Sequence, residues 1–115
     1  MSLKETLKKN AAEFYSSATL VYGKGDTTSA FILGFKALLA IADYHLLVSG
    51  NGVPKDHTER FALLRKSSPE LYNVVDRMFG FYRQSYSATV GKAICDEVLL
   101  YAKTFAKKYG IEKID

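Results

Sequence analysis

The groups that could do chemistry in this 115-residue chain concentrate between His57 and Tyr86. All four arginines, Arg60, Arg65, Arg77 and Arg83, fall in that stretch, with His57, Gln84, Ser85 and Tyr86 beside them. A guanidinium is a planar fork that matches the oxygens of phosphate and carboxylate. Arg83 stands four residues after Phe79 on the same helical stripe, so its stem lies at the margin of a buried face while its head reaches outwards. Tyr82 and Tyr86, also four apart, flank it. A guanidinium with phenols at the end of a helix can hold a phosphate or stack on a base. The plainer alternative is an arginine and tyrosines that satisfy helix-end carbonyls and close the edge of a core. The candidate binding set is therefore Arg83, Gln84, Tyr86, His57 and Arg77, with Arg83 and Tyr86 the residues to carry any catalysis.

Other chemistries find no foothold. The only histidines are His45 and His57, and neither has a histidine or carboxylate three or four residues further on. Asp43 precedes His45 by two residues, which points the two to opposite sides of a helix. Neither a metal site nor a cofactor is expected. The GKGD segment lacks the Lys-Ser/Thr pair of a phosphate-binding loop and joins helix to helix. No nucleophile elbow is present, and no Ser-His-Asp set emerges from spacing. A single cysteine, Cys95, excludes an internal disulfide and a cysteine-rich zinc site. The net charge of +4 is too mild to mark a nucleic-acid binder by itself.

The elements that must position these residues read as helices throughout. Leu3, Leu7, Ala11, Phe14, Ala18 and Val21 form one face of a first helix, which Gly23 and Gly25 stop. Asp26 caps a second helix, about Thr27 to Ser49, that is apolar nearly all round. Its polar exceptions, Ser29, Lys36 and Asp43, recur every seven residues as a thin strip. Ala30, Gly34, Ala37 and Ile41 make a small-residue stripe for a close neighbour, and the surplus apolar surface suggests a second copy of the chain. The loop SGNGVPKDHTER follows, and Asp56 or Thr58 caps a short third helix. Ser68 and Pro69 open a fourth, with Leu71, Val74, Val75, Met78, Phe79 and Tyr82 on its apolar face, which gives out around Gln84 to Ser87. A fifth spans about Thr89 to Tyr109, with Cys95 as a small core residue and Gly110 as its stop. The expected fold is all-α, an antiparallel up-and-down bundle of four to five helices forming one domain over residues 1–115. The apolar run from Ala30 to Val48 approaches membrane-span length but carries Lys36, Asp43 and His45, so it reads as a core helix. With no secretory signal at its start, the chain is expected to be cytoplasmic, with no membrane partner.

Two stretches, SSATLVYGKGDTTSAFILGFKALLAIADYHLLVSGNGVPKDHTERFALL and FYRQSYSATVGKAICDEVLLYAKTFAKKY, together resemble HEPN domains, small prokaryotic helical proteins. The likeness lies in the order of features: a long first helix, a Lys24-Gly25-Asp26 turn, an alanine- and aromatic-rich second helix, a Gly52–His57 lead-in to the third, and an arginine ending the fourth. It implies a bundle that homodimerises and that sits beside a minimal nucleotidyltransferase or acts as a metal-independent ribonuclease toxin. Cleaving members carry an Arg-x4–6-His motif at the end of the penultimate helix. Here Arg83 matches the arginine, but Gln84, Ser85, Tyr86, Ser87, Ala88 and Thr89 follow it, and no histidine occurs after His57. His57 matches a histidine that opens the third helix in many relatives, as a cap or site-margin residue. Metal-free cleavage needs a group that moves a proton near neutral pH, and a phenol of pKa about 10 is a poor substitute for imidazole. Losing one general acid or base costs about 10²–10⁴ in rate. The resemblance therefore implies a non-catalytic bundle that binds a nucleotidyltransferase partner and a nucleotide or RNA phosphate. The alternative is a divergent ribonuclease toxin of a toxin-antitoxin system using Arg83, Tyr86 and His57.

Overall fold

Capping fixes where each helix begins. In the computed structural model, which describes residues 1–114, Ser2 Oγ accepts from the Glu5 amide and opens α1, Leu3–Gly23. Asp26 does the same through the Ser29 amide for α2, Thr27–Val48, and Asp56 through the Glu59 amide for α3, His57–Ser67. The Glu59 carboxylate reaches back to the Lys55 amide, so α3 has a reciprocal cap displaced by one residue. α4 runs Pro69–Gln84 with proline in its first turn, and α5 runs Lys92–Lys108. Gly25, Gly50 and Gly110, just beyond the ends of α1, α2 and α5, take positive φ angles that reverse the chain cheaply.

α2 is the axis of the bundle. Twelve of its residues are buried, among them Phe31, Phe35, Leu38 and Ile41 with no exposure at all. α1 runs antiparallel to it, with the Lys8 ammonium over the Tyr44 ring. α4 is antiparallel as well, since Phe35 stacks on Tyr82 while His45 meets Ser68. α5 runs parallel to α2: Thr27 bonds Val90, Gly34 faces Val98, and His45 stacks on Tyr109. The result is an all-helical up-and-down bundle with a single apolar core. By length and composition α2 could cross a bilayer, but its apolar surface lies largely against the other helices.

The small-residue stripe of α2 takes a close neighbour as its spacing predicts, and two other details differ from expectation. The small-residue stripe of α2 is used within one chain, because Ala30, Gly34, Ala37 and Ile41 are all buried and Gly34 lies against Val98 and Leu99 of α5. α5 starts at Lys92, not Thr89, because the Thr27 hydroxyl donates to the Val90 carbonyl and the Val90 amide donates to Thr28 Oγ1, which holds buried Val90 out of the helix. Ser68 occupies the N-cap of α4 but makes no capping bond, since its hydroxyl is 2.7 Å from His45 Nε2. Cys95 is a core residue, fully buried, with its thiol pushed up to about 11 by that burial.

Candidate functional site

The polar strip of α2 and the start of α3 meet in a fixed relay. Arg60 forks onto Asp43, Nε to Oδ1 at 2.7 Å and Nη2 to Oδ2 at 2.9 Å, and each side chain is only 11% exposed. The third arm of the fork, Nη1, lies 2.8 Å from His57 Nδ1. Arginine only donates, so His57 Nδ1 accepts and, in the neutral ring, Nε2 carries the proton. Burial and the Arg60 cation both lower the His57 pKa, with the Asp43 and Asp56 carboxylates opposing. At neutral pH His57 is thus an uncharged ring with its accepting nitrogen occupied and an N–H to offer.

Phe79 joins this relay to the end of α4. Its ring centroid is 5.1 Å from that of His57 and 5.3 Å from that of Phe61, and the Arg83 guanidinium lies 5.5 Å from it. Tyr82, stacked on Phe35, and Tyr86 continue the aromatic run past the helix end, with Tyr86 Oη donating to Tyr82 Oη at 3.3 Å. That hydrogen bond, before burial, raises the Tyr86 pKa, and the Lys36 ammonium lowers it. Lys36 acts on His57 in the same direction. The seven-residue strip of α2 therefore contributes Lys36 and Asp43 to the site, although the spacing alone had suggested only a polar edge. Lys36 and Asp43 come from α2 and Arg60 from α3, and no local pattern in the sequence joins the three to one site.

Of the sequence-chosen residues, Arg83 and His57 share the Phe79 ring, Tyr86 packs on Tyr82 next to that ring, and Gln84 lies exposed at the same helix end. Ser85 turns inward, its hydroxyl donating to the Tyr82 carbonyl. Arg77 is placed elsewhere. It faces α5, where it forks onto Glu97 at 2.5 and 2.8 Å and lies over the Phe81 ring, so it belongs to the α4–α5 seam. A groove of about 490 Å³ between α3 and α4 runs away from Arg83, lined by Phe61, Arg65, Tyr72, Asp76 and Phe79 among others. A second hollow of about 620 Å³, between α1 and the chain end, carries Lys8, Lys9 and Lys113 against Glu13 and Glu112, and its charges largely compensate. Among the described residues no group of three or more His, Cys, Asp or Glu side chains is placed to hold a metal ion.

The site can thus offer donors and flat rings. Arg83, Lys36, His57 Nε2–H and the phenols could each meet an oxyanion, whereas the nitrogen that would accept a proton already accepts one from Arg60. No family model, curated protein or solved structure matches this chain.

Proposed function

We propose that this chain is a HEPN-like binding subunit that holds a phosphate group of a nucleotide or RNA at Arg83. One observation carries the reading: among the described residues Arg83 is the only arginine with no hydrogen bond or ion pair to a side chain, and it rests on the Phe79 ring. A guanidinium oriented by a ring and left with its donors free is suited to an incoming oxyanion. Homodimerisation and a minimal nucleotidyltransferase partner belong to the same proposal, on the strength of the sequence resemblance alone. Titration calorimetry with nucleotides and short RNA is expected to show binding that Arg83→Ala weakens at least about fivefold, the loss of roughly one charge-assisted bond. Unchanged affinity in that variant would sink the assignment.

The ribonuclease reading gains one observation, the Phe79 ring that His57 and Arg83 share as a neighbour. Its difficulty is the engaged Nδ1 of His57. RNA incubated with the protein in EDTA decides between them. Cleavage abolished by both Arg83→Ala and His57→Ala would make the chain an enzyme; intact RNA supports binding alone.

A further inference from the structure

Two of the four guanidiniums are forked onto carboxylates and two make no ion pair, although the Asp76 carboxylate acts on Arg65 from beyond hydrogen-bonding distance. Arg60 and Arg77 are forked onto Asp43 and Glu97. Arg65 instead donates from Nη2 to the Tyr72 hydroxyl at 2.6 Å and lies 4.9 Å from the centroid of that ring. Arg83 lies over Phe79. Both cations without an ion pair line the groove between α3 and α4. Its floor is aromatic, with Phe61 edge-on to Tyr72 and to Phe79 at 5.9 and 5.3 Å between centroids. Tyr72 and Phe79 are seven residues apart on α4, so the two cation-on-ring platforms are about 10 Å apart along the helix. Asp76 is the only acidic side chain among the lining residues and sits between the platforms on the same helix.

We infer that this groove binds a short single-stranded nucleic acid laid along α4, with one phosphate at Arg83, another at Arg65, and a base over the rings between them. The inference rests on Arg83 as a phosphate ligand and extends that reading to a second cation it does not use. Each part has a physical task. Rings and guanidinium planes stack bases of any identity, and the free cations take the backbone. A carboxylate midway repels phosphate, so Asp76 suits a base edge and not the backbone. It accepts only, and guanine presents two adjacent N–H donors that match its two oxygens. An acidic peptide would meet Asp76 as repulsion and leave the rings unused.

The test is fluorescence anisotropy on the full chain with labelled UUGUU and UUUUU, and with unlabelled guanosine monophosphate as competitor. UUGUU is expected to bind more tightly than UUUUU and than the mononucleotide. Arg65→Ala and Arg83→Ala should each weaken it at least about fivefold. Each should also reduce the salt slope by about 0.7, the share of one single-strand phosphate. Asp76→Asn should remove the guanine preference while UUUUU binding persists. The deoxy pentamer TTGTT tells the two sources of the strand apart, the tighter binder being the ligand. Both arginines are exposed, so the variants should keep the parent melting curve; Arg65→Lys, which retains the charge but loses the planar fork, gives a second reading. Loss of binding in Arg83→Ala with none in Arg65→Ala overturns the groove and leaves the single-phosphate site standing. Absence of binding by mononucleotide and pentamers alike defeats both, and binding of a hexaglutamate peptide in place of the pentamers overturns the nucleic-acid assignment.

Discussion

Asp43 is the one buried residue among those described whose side chain ordinarily carries a charge at neutral pH, and its placement depends on Arg60. Taking a carboxylate out of water is costly unless its charge and its hydrogen-bonding capacity are both answered, and the bidentate fork answers both. Removing one partner strands the other. Arg60→Ala is therefore expected to lower stability by about 3 kcal/mol, the low end for a broken buried pair because a little of each side chain still reaches water. Replacing both residues together, as Asp43→Leu with Arg60→Met, should cost markedly less, since no unpaired charge remains. Urea midpoints for the three proteins check this, and equal losses in the single and double variants would contradict it. The same Arg60→Ala protein frees His57 Nδ1 and removes one of the cations that depress the ring, so imidazole NMR should show a His57 pKa raised above that of the parent. The sequence displayed Asp43 on a polar strip and Arg60 in the arginine-rich stretch, but nothing in either pattern joined them. Their pairing depends on the angle at which α3 lies across α2, which no local periodicity encodes.

At the scale of the helix, two glycines with the same intrinsic propensity are under opposite demands. Gly34 lets α5 approach α2: an added Cβ would stand 2.9 Å from Val98 Cγ1 and 3.1 Å from Leu99 Cδ2. Gly80, inside α4, has no atom within 4 Å of such a Cβ. Alanine is the better helix former by roughly 0.5–1 kcal/mol, which both substitutions gain. Only Gly34→Ala must also push a neighbouring helix aside, a strain of about 1–3 kcal/mol that outweighs the gain. Gly34→Ala should thus lower the melting temperature and Gly80→Ala raise it, measured by circular dichroism. A rise in both would mean that the α2–α5 contact is looser than these distances imply. The small-residue stripe around Gly34 was legible in the sequence, as were the caps at Asp26 and Asp56 and the proline that opens α4, because each is a local signal. The start of α5 was not, since Thr27 and Thr28, more than sixty residues away, hold Val90 extended. The capping role of Ser68 failed for a related reason, its hydroxyl being claimed by His45 from another helix.

Across the whole molecule, the bundle's apolar pattern was readable because burial follows a 3.6-residue period, whereas the groove between α3 and α4 exists only once Phe61, Tyr72 and Phe79 have met. The two histidines tie these scales to pH. His45 connects three helices, hydrogen-bonded to Ser68 at the start of α4 and stacked at 4.2 Å on Tyr109 just beyond α5. Burial lowers its pKa first, and Lys108 adds to the effect. For His57 burial again leads, with Arg60 and Lys36 lowering and Asp43 and Asp56 raising. A histidine whose folded pKa lies below its unfolded value, about 6.5, binds fewer protons folded than unfolded between the two values. Stability from this source is therefore complete above about pH 6.5 and declines as pH falls through that value towards the folded pKa. The carboxylates whose pKa values are lowered, Asp26, Asp96 and Glu97, also lose stability as pH falls, but through a range below their ordinary values of 3.8 and 4.5, so the histidine window opens at a higher pH than theirs. The urea midpoint is expected to drop between pH 7.5 and about pH 5.5, and the double variant His45→Gln with His57→Gln should flatten that drop while leaving the loss below about pH 4 in place. Glutamine keeps a hydrogen-bonding group near Ser68 and removes the titration, so a drop that survives in the double variant would assign it to groups other than these two rings.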